Sequence, residues 1–342
     1  MLTLSVLDQS PVRQGVTPRD ALMETIELAR HCEALGYRRY WLAEHHATPA
    51  LAGSAPEIMI ARIAAETSHI RVGSGGVMLS HYSSLKVAEQ FRMLETLHPG
   101  RIDLGIGRAP GSDQLTAAAL AHGPGALGIE HFPNQIADLI GYLEHTIPGE
   151  HPFSRIQLSP DGKTLPEIWI LGSSDQSAIF AAYFGRAYSF AHFITDEGGP
   201  EIMAAYKTQY RPSAKLSLPQ ANIGVFVICA ESEERAQYLA ASRDLSRLRS
   251  RQGILKPFPP PEEALAYPYT DIERRVVEYH RRRQIVGTQE TVKPELEALA
   301  ESYGVDEVVV LTITHDYQAR KRSYALLAEA FGLEPAGDGV AV

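Results

Sequence analysis

The feature that most constrains this chain is an alternation. Short runs of β-branched and aliphatic residues recur along the 342 residues, separated by longer stretches with a helical apolar period. Strands are expected at 2–7, 39–43, 71–79, 101–107, 167–172, 186–191, 222–229 and 306–313. Helices are expected at 18–35, 55–68, 84–97, 133–146, 175–184, 198–210, 231–250, 288–303 and 317–331. A strand followed each time by a helix is the signature of parallel pairing, because parallel neighbours need a long crossover connection. Eight such units predict a single (β/α)8 TIM barrel, an α/β fold of about 250 residues, which leaves roughly 90 for insertions and a tail. The insertions fall after strand 4, at 109–131, and after strand 7, at 251–284, with a proline-rich loop at 148–166 before the fifth strand. One barrel domain then spans 1–332, and the small-residue segment 333–342 is a flexible C-terminal tail. An open doubly wound sheet is the competing architecture. Its nucleotide fingerprint is absent, since Gly105-Ile106-Gly107-Arg108-Ala109-Pro110 carries a proline where the third glycine should stand.

A formal charge of −9 argues against a nucleic-acid or membrane-surface binder, and no apolar stretch reaches the length of a membrane helix. The two cysteines, Cys32 and Cys229, make neither a disulfide framework nor a metal motif, and a cytoplasmic location fits them. Arginines cluster at 243–251 and 274–283, but acids nearly match them across 231–283. A solvated or subunit-facing helix pair, in a homo-oligomer, is expected there rather than an anion site.

In a barrel the groups at the C-terminal strand ends share one mouth. Here they are Asp8 and Gln9; Glu44, His45 and His46; Gly75 and Gly76; Gly107 and Arg108; Gly172, Ser173 and Ser174; His192; and Thr314 and His315. The set is poor in carboxylates, and no metal site is expected. His45 and His46 point to opposite faces while the chain stays extended, so the pair alone makes no two-imidazole metal site; one of them can act as an acid or base, or both can be packing groups. Gly172 to Ser177 follow a strand and open a helix, where amides, hydroxyls and a positive dipole end suit a phosphate; Ser174 or Asp175 capping its own helix explains the motif equally well. Arg108 ends the preceding strand, suited either to meet such a phosphate or to pair with Asp113 or another acid. Gly75 and Gly76 leave room for a flat ring against backbone, or form a tight turn.

Several segments together resemble the bacterial-luciferase-like, flavin-dependent monooxygenases: W-L-A-E-H-H at 41–46, V-G-S-G-G-V-M-L at 72–79, H-P-G-R-I-D-L-G-I-G-R at 98–108, I-L-G-S-S at 170–174 and V-G-T at 286–288. The resemblance runs from Leu2 to about Phe331. It implies a (β/α)8 barrel with FMN in its mouth, His45 as the catalytic histidine, a cis peptide between Gly75 and Gly76 behind the flavin ring, and phosphate contacts from Arg108, Ser174 and Ser177, beside Gly172 and Ser173. Light-emitting members carry alanines at the cis pair, so light emission is not implied. The activity implied is a monooxygenase that takes reduced FMN from a separate flavin reductase and uses O2 on a small organic substrate. His45 would exchange a proton there, with Glu44 or another acceptor holding its tautomer. A second reading is hydride transfer with the deazaflavin F420 on the same fold, and a third is a non-catalytic flavin-binding protein.

Overall fold

In a computed structural model, which describes residues 2–108, 113–121 and 128–335, the alternation folds into strands β1 (Thr3–Asp8), β2 (Arg39–Leu42), β3 (Arg71–Met78), β4 (Ile102–Gly107), β5 (Glu167–Gly172), β6 (Ala187–Phe190), β7 (Ala221–Cys229), β8 (Gln284–Gly287) and β9 (Glu307–Leu311). The helices are α1 (Pro18–Ala34), α2 (Pro56–Glu66), α3 (Ser84–Leu97), α4 (Gln114–Leu120), α5 (Phe132–Glu144), α6 (Asp175–Tyr183), α7 (Gly199–Gln209), α8 (Glu233–Arg251), α9 (Pro261–Ala266), α10 (Asp271–Arg281), α11 (Gln289–Tyr303) and α12 (Tyr317–Phe331). Local chemistry marks their ends. Thr17 and Asp20 form a capping box around Pro18 at the start of α1, and Gly36, at φ +86°, turns the chain out of it toward β2.

Every strand pairing is parallel, and the sheet closes through β1–β2–β3–β4–β5–β6–β7–β9 and back to β1. A closed eight-stranded barrel results, and the open doubly wound alternative is excluded. The ninth strand, β8, is a correction to the sequence reading, which placed Gln284 in an insertion and residues 285–287 in no strand. The first residues of β7 pair with β6, whereas its last four, Phe226 to Cys229, pair with β8. A four-residue strand behind an arginine-rich run gives little periodic signal. Part of the insertion at 109–131 lies outside the described residues; within it α4 forms over Gln114–Leu120, capped by Asp113. Most of the expected tail also lies outside them, although Leu333, its first residue, packs against the core. Among the described residues no helix is long and apolar enough to cross a membrane.

Side chains alternate along each strand, so one set faces the helices and the other the barrel axis. Leu4, Val6, Tyr40, Leu42, Val72 and Leu104 belong to the outer layer, with Leu28, Ile60 and Phe91 of the helices. The axis is built differently, in tiers. At the N-terminal end the buried Arg39 guanidinium meets Asp103 Oδ2 at 2.9 Å, Glu307 Oε1 at 2.8 Å and Glu167 Oε1 at 3.2 Å. Arg71 Nε donates to Asp103 Oδ1 at 2.8 Å. Burial alone would raise the Asp103 carboxyl, but Arg39 and then Arg71 hold it below the ordinary carboxylate range. Above this plug Trp41 packs edge-on to Trp169, with ring centroids 5.2 Å apart, and Trp41 Nε1 donates to Asp103 at 2.8 Å. Glycines on β3 and β4 let the neighbouring strands approach closely here. A Cβ on Gly73 would strike the Asp103 backbone, and one on Gly105 the Ser74 carbonyl.

Removing a buried member of an ionic cluster leaves its partners short of counter-charge. Asp103→Ala, which takes the carboxylate from both Arg39 and Arg71, is expected to cost about 3–5 kcal/mol in denaturant unfolding. A loss below ~1 kcal/mol would show that the plug does not support the barrel.

Candidate active site

β2 ends inside the barrel mouth, and the next three side chains divide by parity. Glu44 and His46 lie on one side of the chain and His45 on the other, as extended backbone requires. Glu44 is 2% exposed. It accepts the Met78 backbone N–H at 2.9 Å and the Tyr82 hydroxyl at 2.6 Å, and its Oε1 lies 2.7 Å from His46 Nε2. Glu44 therefore does not hold the His45 tautomer, contrary to the sequence expectation. Its partners are His46 and Tyr82, and it acts as a positioning group for the segment after β2. The His45 backbone N–H is fixed by the Gly53 carbonyl at 2.8 Å, while its Nδ1 is buried with no partner. Burial first and His46 second push the His45 imidazole down to about 4, so the ring is neutral near pH 7.

Leu7, Trp41, Leu171 and Val309 floor a cavity of about 400 Å³ at this end of the barrel, within the range of cofactor and ligand sites. All the expected site residues line it: Glu44, His45, Gly75, Gly76, Arg108, Gly172, Ser173, Ser174 and Ser177. The Gly75–Gly76 peptide is cis and coincides with a register shift between β3 and β4. Gly76 has no room for a side chain, since its Cβ would lie 2.7 Å from the Gly105 backbone oxygen, whereas a Cβ on Gly75 would lie 2.6 Å from Leu7 Cδ1 and require that side chain to move.

Elsewhere on the cavity wall Ser174 caps α6 in a box with Ser177, whose Oγ also lies 3.0 Å from the Tyr188 hydroxyl. The capping role is thus real, and Ser174 and Ser177 still line the cavity. The Asp175 carboxylate takes the Gln176 N–H at 2.7 Å, so an incoming anion there depends on added positive charge. Arg108 supplies it, hydrogen-bonded to the Gln176 side chain.

Other strand-end residues serve the scaffold. Asp8 bonds Arg320 at 2.7 Å and Tyr40 at 2.5 Å, His192 Nδ1 lies 2.9 Å from the Tyr303 hydroxyl, and His315 Nε2 lies 3.3 Å from the Gln14 carbonyl. Sequence reasoning missed Tyr82, Phe193 and Ile194. Tyr82 follows a short 3₁₀ turn, and the other two follow β6, so none ends a strand. Phe193 and Ile194, with Gln9 and His45, also border a second cavity of about 330 Å³.

The family model described as luciferase-like monooxygenase matches residues 1–307. An N-acetyl-S-alkylcysteine monooxygenase of Bacillus subtilis (strain 168) is 36% identical over 96% of this chain and 98% of its own. The crystal structure of apo-MsnO8 superposes with a TM-score of 0.90 at 42% identity, covering 98% of this chain and 100% of that one. Two more distant structures share the fold. The oxygenating constituent of 3,6-diketocamphane monooxygenase, in complex with FMN, has a TM-score of 0.68 at 17% identity, covering 96% and 97% of the two chains. An F420-dependent secondary alcohol dehydrogenase has a TM-score of 0.71 at 12% identity, covering 96% and 98%. The chain belongs to the luciferase-like monooxygenase family and is an oxidoreductase that incorporates oxygen.

Proposed function

We propose that this chain is the oxygenase of a two-component system. Reduced FMN from a separate flavin reductase is held in the 400 Å³ cavity, and O2 is used there on a small organic substrate. A homo-oligomeric state and a cytoplasmic location belong to the same proposal. The observation that carries it is the polarity of the cavity. Its lining combines Arg108 and the start of α6 with the Gly75–Gly76 peptide and the partnerless Nδ1 of His45. A phosphate suits the first group and a flat ring the second, so the residues present fit FMN.

When bound, reduced flavin supplies the electrons that activate O2. The protein's own contributions are orientation, dryness and a proton. Arg108 and the α6 amides would anchor the phosphate, and Gly75 and Gly76 would let the ring rest on backbone. Leu7, Trp41 and Val309 keep the floor apolar. The neutral His45 ring, whose Nδ1 is uncommitted, would take or give a proton at that atom. Burial, followed by the bond to Glu44, pushes the Tyr82 hydroxyl well up, so it stays a donor that fixes Glu44. A second reading of the cofactor, F420 in place of FMN, rests on the fold shared with the F420-dependent alcohol dehydrogenase. Comparing the affinities of the protein for FMN and for F420 separates the two.

Arg108→Ala is expected to weaken FMN binding by ~10-fold or more and riboflavin binding little, because only FMN carries the charge that Arg108 would meet. Equal losses for the two ligands would remove Arg108 from the phosphate site. His45 makes a separate prediction. Its folded value of about 4 lies below its ordinary 6.5, so between these values the folded state binds fewer protons than the unfolded chain. The stability tied to the neutral ring is present above about 6.5 and lost as pH falls toward 4. In thermal melts across that window, wild type should lose more stability than His45→Asn. Parallel curves would show that His45 titrates normally.

A further inference from the structure

The lining of the second cavity carries positive charge and, among the described residues, no carboxylate. Its outer wall is one face of α8, where Arg243, Ser246, Arg247 and Ser250 follow helical spacing, and Lys256 lies beside them. The sequence reading placed this arginine run on a solvated or subunit-facing surface, but Arg243 is only 5% exposed. Its guanidinium carbon lies 3.3 Å from the centroid of the Phe226 ring, and its Nη1 is buried without a partner, as is Nε of Arg247.

The neighbouring acids are committed elsewhere. Asp244 is paired with Arg281 at 2.6 Å and Glu263 with Arg249 at 2.7 Å, and Asp196 lies 3.9 Å from Arg283. Burial and then Arg247 push Arg243 down to about 9, and the opposing pull of Asp244, already paired with Arg281, does not make this up. A buried guanidinium with an unpartnered Nη1, beside a half-buried arginine whose Nε is also buried and unpartnered, is costly to a fold unless something else neutralises it. The rest of the chamber is mostly apolar, with Leu51, Phe258 and Ile313 beside Gln9 and Thr48, and it shares His45 with the lining of the first cavity.

We propose that this chamber is the substrate site and that the substrate is a small organic carboxylate with an apolar body. The carboxylate pairs with Arg243 and Arg247, and the far end of the molecule reaches His45 at the junction with the first cavity. This assignment rests on the reading that the first cavity holds the flavin.

The test uses hexanoate as probe and hexanol as its neutral counterpart, with calorimetric titration of the apoprotein and of the FMN-loaded protein. Hexanoate should bind both forms, and at least ~10-fold more tightly than hexanol, as loss of a charge-assisted contact implies. Arg247→Gln and Arg243→Met should each remove most of this preference without altering FMN affinity. Arg243→Met should also raise the melting temperature of the apoprotein, since an unpaired buried charge is replaced by an apolar chain. Equal binding of hexanoate and hexanol would overturn the proposal, as would hexanoate binding that persists in both variants. If FMN affinity falls in Arg247→Gln while Arg108→Ala leaves it unchanged, the phosphate lies in this chamber, and the proposal is overturned together with the flavin reading. Hexanoate binding lost in both variants, in a protein that binds no FMN, would uphold the anion site and remove the flavin reading alone.

Discussion

Arg39 sits at the closed end of the barrel with no access to water, and the tiers above it depend on that placement. A buried guanidinium is tolerable only with counter-charge at contact distance, and Asp103, Glu167 and Glu307 provide it from β4, β5 and β9. Four strands are thus tied together at one level. The same carboxylate, Asp103, accepts the Trp41 indole N–H, and the Arg39 guanidinium lies 4.7 Å from the centroid of the Trp169 ring. The aromatic floor of the cavity is therefore seated on the ionic plug. Because that floor blocks the axis, the space above it opens in one direction only, toward the strand ends where Glu44, His45 and Arg108 lie.

The electrostatics of the open end follow from what is paired and what is left over. Glu44 is fully engaged by Met78, Tyr82 and His46 and adds little free negative charge to the mouth. His45 stays neutral because it is buried beside His46. Positive charge is concentrated at two separate places, Arg108 by α6 and the Arg243–Arg247 pair on α8, with His45 bordering both cavities. An anionic cofactor and an anionic substrate would thus be held apart by their charged ends while their reacting parts converge on one neutral imidazole.

Much of the fold was legible because each barrel strand is a compact apolar run and each crossover helix carries its own period. All eight barrel strands lie within a residue or two of the expected segments. β8 escaped because its four residues continue an edge of β7 that β6 abandons, a tertiary circumstance with no local pattern. At the site, parity along the extended chain separated His45 from His46, yet the partner of Glu44 could not be read, since Tyr82 arrives from beyond β3. Ser174 illustrates a different limit. Its capping of α6 and its position on the cavity wall are compatible, and the residue pattern alone could not weigh one against the other. Arg243 of α8 was misread for a simpler reason. Balanced composition over 231–283 says nothing about which side chains turn inward, and Arg243 faces Phe226 while the acids pair elsewhere.

The central claim is an arrangement: cofactor in the cavity between Arg108 and His45, substrate in the chamber beyond. A crystal structure of the FMN complex tests it most directly. The account predicts the phosphate within hydrogen-bonding distance of Arg108 at the start of α6, and the ring against the Gly75–Gly76 peptide with an edge facing His45. A phosphate seated between Arg243 and Arg247, or a ring stacked away from Gly75 and Gly76, would contradict it.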